Sequence, residues 1–170
     1  MYLESYLSAD FYQIPPNHIE MNDMKIILLA EDNPKDIELT MEAIAEVHLS
    51  NQVVVVKDGV EALEYLKYEG NYVNRKKVDP AVILLDIKMP RLDGIQVLRE
   101  IRSNPVLKTL PVVMLTSSRE KSDLKKCYDL GANAYVVKPV NFKEFMYTIK
   151  NIGVFWASIN ELPTKEEMAL

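Results

Sequence analysis

Five short apolar runs punctuate the 170-residue chain, at residues 26–30, 53–56, 82–85, 112–115 and 134–137. None alternates apolar with polar residues. An unbroken apolar run of this length predicts a strand covered on both faces, as in a parallel sheet. The runs start 27, 29, 30 and 22 residues apart, which leaves room for a helix between each pair. The intervening segments carry helix signals. Asn33-Pro34 supplies a cap and a proline for the first turn, ahead of Ile37, Met41 and Ile44 at helical spacing. Asp58-x-x-Glu61 and Asn141-x-x-Glu144 have the pattern of capping boxes, and Gly131 after Leu130 fits a helix stop. The prediction is an α/β fold with a doubly wound five-stranded parallel sheet and helices on both faces.

Charge and length exclude several classes. With 20 Lys+Arg against 25 Asp+Glu the net charge is -5, which provides no footprint for nucleic acid. Apolar runs of about five residues are far short of the ~20 that a membrane helix needs. The single cysteine, Cys127, cannot form an internal disulfide, and on the fourth helix it reads as a small buried residue. No basic segment leads into an N-terminal apolar stretch, so a cytoplasmic protein is expected. Residues 1–24 hold Tyr2, Tyr6, Phe11, Tyr12 and Pro15-Pro16 without a period, and are read as a weakly ordered extension in which Met21 and Met24 are alternative starts. The domain is expected over 25–156 and a tail over 157–170, too short for an output domain. Residues 69–80, with Arg75-Lys76-Lys77, read as a long solvated loop. His48, near a helix end, reads as a dipole partner, and His18 lies away from the strand ends.

In an open parallel sheet, ligands bind outside the carboxyl ends of the strands. Directly after the apolar runs come Glu31-Asp32, then Asp86, then Thr116-Ser117-Ser118, then Lys138. Four of five strands deliver a polar group to one rim. Three carboxylates there repel one another by about 4 kcal/mol per pair at ~4 Å and an effective dielectric near 20. Either one carboxyl takes up a proton or a cation joins them, and Mg²⁺ is the natural oxygen-seeking ion. A metal, the Lys138 ammonium and the Thr116 hydroxyl around one carboxylate suit the arrival of a phosphoryl group.

At this point a resemblance becomes specific. Glu31-Asp32, Asp86-x-x-Met89-Pro90-x-x-Asp93-Gly94, Leu115-Thr116-Ser117 and Tyr135-Val136-Val137-Lys138-Pro139 together resemble the receiver domain of two-component response regulators. The intervals of 30 residues from Asp86 to Thr116 and 22 from Thr116 to Lys138 are also similar to that family. The resemblance implies strand order 2-1-3-4-5 and a chain that is not an enzyme in the turnover sense. It implies that Asp86 accepts phosphorus from a histidine kinase, and that Glu31, Asp32, Asp86 and the Lys88 backbone carbonyl hold Mg²⁺. Thr116 and Lys138 would bind phosphoryl oxygens, the Lys138-Pro139 bond would be cis, and Thr116 and Tyr135 would form a switch. The long loop before the third strand and the Phe155-Trp156 ending are similar to single-domain receivers that pair with phytochrome-type kinases. That likeness implies a homodimer through the helix 4, strand 5 and helix 5 face with Phe155 and Trp156. An aspartate-nucleophile phosphatase is the rival, but that class wants an acid where Lys88 stands.

Overall fold

The computed structural model describes residues 25–49, 53–117, 120–161 and 163. Their element order is β1 (Ile26–Ala30), α1 (Pro34–Ala45), β2 (Val53–Val56), α2 (Gly59–Lys67), β3 (Pro80–Asp86), α3 (Gly94–Ser103), β4 (Val112–Thr116), α4 (Lys121–Asp129), β5 (Ala134–Val137) and α5 (Phe142–Val154). All neighbouring strands pair parallel, in the order β2-β1-β3-β4-β5.

Why the runs are unbroken is visible in the two cores. Successive strand residues point to opposite faces. Leu28, Ala30, Ile83, Leu85, Val112 and Met114 join a core with Leu66, Val97, Leu98, Ile101 and Cys127, so α2, α3 and α4 cover that face. Ile27, Leu29, Val82, Leu84, Val113 and Leu115 join Ala43, Ile44, Phe145, Met146 and Ile149, so α1 and α5 cover the other. Each fully buried Leu or Ile contributes roughly 1.5–3 kcal/mol relative to an exposed one, before chain entropy is counted.

The helix starts follow the predicted caps with one shift. Asn33 accepts the Lys35 amide at 3.0 Å, Asp58 accepts the Glu61 amide at 2.9 Å and Asn141 accepts the Glu144 amide at 3.2 Å. The Glu61 carboxylate, however, accepts from the Lys57 amide and not from its own cap. The complete reciprocal box is Asp93 with Gln96, at the start of α3. Strand β3 begins at Pro80, two residues before the apolar run, since proline is tolerated at a first strand position. Helical geometry continues past the expected boundary at Trp156 through a turn over Phe155–Ile159. Ala157 is buried there, and the Lys25 ammonium donates to the Asn160 carbonyl at 2.8 Å.

Two expectations are corrected. Arg75 is not part of a solvated run. Its guanidinium lies 3.9 Å from the ring centres of both Tyr65 and Tyr68, and donates to the Tyr65 and Val78 carbonyls. Tyr68 reaches this position through a left-handed backbone (φ 60°), and a desolvated cation between two aromatic faces outweighs hydration. The second correction is the Lys138-Pro139 bond, which is trans; among the described residues no peptide bond is cis. Trans is the intrinsic preference before proline, and the chain passes from β5 to the Asn141 cap of α5 without leaving it. His48 is exposed just beyond α1, with a left-handed backbone. Residues 1–24, His18, Met21, Met24 and Ser118 lie outside the described residues.

Candidate functional site

Strands β1, β3 and β4 end at one edge of the sheet, and their terminal residues form a notch. Asp86 is the last residue of β3 and Thr116 the last of β4, both buried. Glu31 follows β1, with its amide bonded to the Val56 carbonyl and the residue buried. Asp32 beside it is exposed. One oxygen from each of Glu31, Asp32 and Asp86 lies within 4.8 Å of the others. Three hard anionic oxygens so grouped fit a small divalent cation in their donor chemistry.

Lys138, just after β5, enters this notch. Its Nζ lies 2.5 Å from Glu31 Oε2, 2.7 Å from Asp86 Oδ1 and 2.8 Å from Asp36 Oδ2. Burial alone would lower the basicity of Lys138, yet the carboxylates of Asp36, Asp86 and Glu31 hold its ammonium well above the usual lysine range. Burial pushes the Glu31 carboxyl up, the nearby Asp86 charge adds to this, and Lys138 opposes it. The lysine therefore stays charged while the carboxylates around it are crowded. Asp86 Oδ2 accepts the Lys88 amide at 2.6 Å, which orients the carboxylate across the mouth of the loop after β3. The Lys88 side chain itself is exposed.

That loop is pinned from behind. Gly94 donates to the Ile87 carbonyl at 2.9 Å, and a Cβ on Gly94 would sit 2.1 Å from the Asp86 carbonyl oxygen. Arg91, with φ 63°, forms an ion pair with Asp58, the cap of α2. The Asp58 carboxyl would be raised by burial but is held below the usual range by the Glu61 amide and Arg91. These contacts tie the β3–α3 loop to the start of α2.

Of the expected residues, Glu31, Asp32, Asp86 and Lys138 converge. Thr116 is buried at the neighbouring strand end, and its carbonyl accepts the Lys138 amide at 2.7 Å. Tyr135 is half-buried on β5; burial raises its phenol above the usual range, and the neighbouring Thr116 side chain opposes that shift. Phe155 is exposed, whereas Trp156 is partly buried against the α1/α5 core, their rings meeting edge-on at 5.1 Å. Asp36 was missed by sequence reasoning. The signal available was its place four residues after Asp32, one turn into a helix that starts at the rim.

A doubly wound parallel sheet whose carboxyl edge gathers three carboxylates and one half-buried lysine defines the receiver class. The chain belongs to the response regulator receiver domain family, whose model matches residues 27–150. It is 37% identical over 144 residues to the response regulator Rcp1 of Synechocystis sp. (strain ATCC 27184 / PCC 6803 / Kazusa), covering 85% of this chain and 97% of Rcp1. The Mn²⁺-bound structure of Rcp1 superposes with a TM-score of 0.74 at 36% identity, covering 82% of this chain and 99% of that one. The phosphorylated cyanobacterial phytochrome response regulator RcpA gives 0.76 at 44% identity over 82% of this chain and 99% of that one. The bacteriophytochrome response regulator RtBRR gives 0.66 at 52% identity over 85% and 87%. The strand order that the resemblance implies is the order observed. Receiver domains bind a divalent metal, and the acidic cluster for one is present here. No helix among the described residues is long and apolar enough to cross a membrane.

Proposed function

We propose that this chain takes a phosphoryl group onto Asp86 from a phosphohistidine of a sensor kinase, and signals through the resulting change in its surface. The observation that carries this reading is the Asp86 carboxylate, buried at a strand end, 2.7 Å from the Lys138 ammonium and grouped with Glu31 and Asp32. A carboxylate oxygen of Asp86 attacks phosphorus. The bond from phosphorus to the histidine nitrogen breaks, its electron pair stays on the imidazole, and a phosphorus–oxygen bond forms. The transition state is loose and in-line, so positioning and charge stabilisation supply most of the catalysis. Lys138 and Thr116 bind the phosphoryl oxygens, with Lys138 neutralising charge. Glu31, Asp32, Asp86 and the Lys88 carbonyl would hold Mg²⁺, which when bound offsets charge on the transferring oxygens. Hydrolysis by water later returns Asp86 and inorganic phosphate, without turnover of small phosphate esters.

The pairing of β4 with β5, which sets Tyr135 on the strand beside Thr116, supports a switch role for both residues. A phosphoryl oxygen that draws the Thr116 hydroxyl inward changes the surroundings of Tyr135, which lines a groove of about 400 Å³ with Glu120, Lys121, Leu124 and Val137. A local charge event thereby biases the face made by α4, β5 and α5. That face, together with Phe155 and Trp156, is the proposed homodimer surface, and the site of action is the cytoplasm. The likeness to phytochrome response regulators supports a phytochrome-type kinase as the donor.

Incubation with acetyl phosphate and Mg²⁺, followed by peptide mapping, is expected to place one phosphoryl group on Asp86. Rapid release of p-nitrophenol from its phosphate ester would instead favour a phosphatase and sink this reading.

A further inference from the structure

We propose that Asp36 is a positioning residue that draws the Lys138 ammonium toward the rim of the notch, so that Glu31 and Asp86 can serve a divalent cation. The inference rests on the phosphoacceptor reading above and adds a residue that the family motif does not contain.

An ammonium has three donor protons. Lys138 has three carboxylate acceptors, Glu31, Asp86 and Asp36, at 2.5, 2.7 and 2.8 Å. Two of them belong to the group of carboxylates whose oxygens lie within 4.8 Å of one another, and Asp36 does not. Lys138 and a metal ion therefore compete for the same two carboxylates, Glu31 and Asp86. Asp36 is the acceptor that Lys138 can keep when the other two are engaged elsewhere. The same anchor lets the ammonium exchange an Asp86 oxygen for a phosphoryl oxygen while remaining in the notch.

Local sequence explains the placement. Asn33 caps α1 and Pro34 opens it, so the helix starts immediately after Asp32. Asp36 is then the third helical residue, and helical side chains lean back toward the N-terminus, here the rim. The Asp36 side chain is 28% exposed, against 3% for Glu31 and 6% for Asp86. It is the wettest of the three acceptors and the cheapest to leave paired with Lys138 alone. An acid in the first turn also favours the helix dipole, and a purely structural role of that kind would not depend on Lys138.

The test is a double-mutant cycle on Mg²⁺ affinity of the full chain, read by calorimetry. Asp36→Asn is expected to weaken Mg²⁺ binding about five-fold, in keeping with a partly exposed ion pair. Lys138→Ala removes the competitor and is expected to tighten it. In the Lys138→Ala background, Asp36→Asn should change the affinity by less than about two-fold, because its effect passes through the ammonium. Asp36→Ser, which keeps a first-turn acceptor, should behave as Asp36→Asn does, and serves in its place if that variant melts early. An unchanged affinity in Asp36→Asn, or an equal loss in both backgrounds, would overturn the positioning role alone. Failure of the unsubstituted chain to bind Mg²⁺ would overturn the phosphoacceptor reading with it.

Discussion

Asp86→Asn is expected to abolish phosphorylation by acetyl phosphate while leaving the fold in place. The amide is nearly isosteric with the carboxylate, and its oxygen can still accept the Lys88 amide that now reaches Asp86 Oδ2 at 2.6 Å. What it lacks is an anionic oxygen able to form the new bond to phosphorus. It also removes one of three clustered negative charges, so metal affinity should fall while thermal stability holds or rises, since a crowded buried anion has been neutralised. The variant should therefore melt at or above the parent temperature and carry no label. Labelling that is undiminished in Asp86→Asn would move the acceptor to another residue and overturn the assignment.

Gly94→Ala is expected to be the most damaging small substitution near the site. Its Cβ would meet the Asp86 carbonyl oxygen at 2.1 Å, the Asp86 carbonyl carbon at 2.9 Å and the Ile87 Cα at 3.0 Å. All three are backbone atoms of the strand end that carries the acceptor, and none can rotate away. Either β3 shifts or α3 backs off, and the Gly94 to Ile87 hydrogen bond is lost with it. Forced overpacking typically costs about 1–3 kcal/mol, and the upper end applies where only backbone can move. For a domain of this size the melting temperature should fall by roughly 10 °C. Because the displaced atoms belong to Asp86 and Ile87, phosphorylation by acetyl phosphate should slow as well. An unchanged melting temperature would mean that the approach of α3 to β3 is looser than described.

Much of this architecture can be read in the chain because burial on both faces leaves an unmistakable pattern. Ile27 and Leu29 serve one core while Leu28 and Ala30 serve the other, so the run cannot alternate. Glu31, Asp86 and Lys138 were legible for the same reason: each is the first charged residue to follow an apolar run, at the strand ends where an open parallel sheet binds its ligands. Residues whose role depends on the phase of a neighbouring element were not legible. Asp36 meets Lys138 across 102 positions, and only the packing of α1 against α5, at the rim where β5 ends, brings them together. Arg75 looks like one member of a basic triplet until Tyr68 adopts a left-handed backbone and closes the aromatic pair around it. Arg91 and Asp58 are 33 residues apart and meet because two loops share an edge. The cis expectation at Pro139 came from family likeness and not from any local feature of these residues, and the bond is trans. Family likeness places Phe155 and Trp156 together in the dimer face, but the extra turn through Ile159 folds Trp156 partly onto the core and leaves Phe155 as the more exposed ring.

All of these statements depend on a notch that is short of positive charge, with one lysine shared among Glu31, Asp36 and Asp86. The most direct measurement is a Mg²⁺ titration of the unmodified chain, followed by heat of binding and by thermal unfolding at each concentration. Saturable binding is expected, with stability rising by about 2.7 kcal/mol at a hundred-fold excess over Kd. No heat of binding and a melting temperature indifferent to Mg²⁺ would contradict the account.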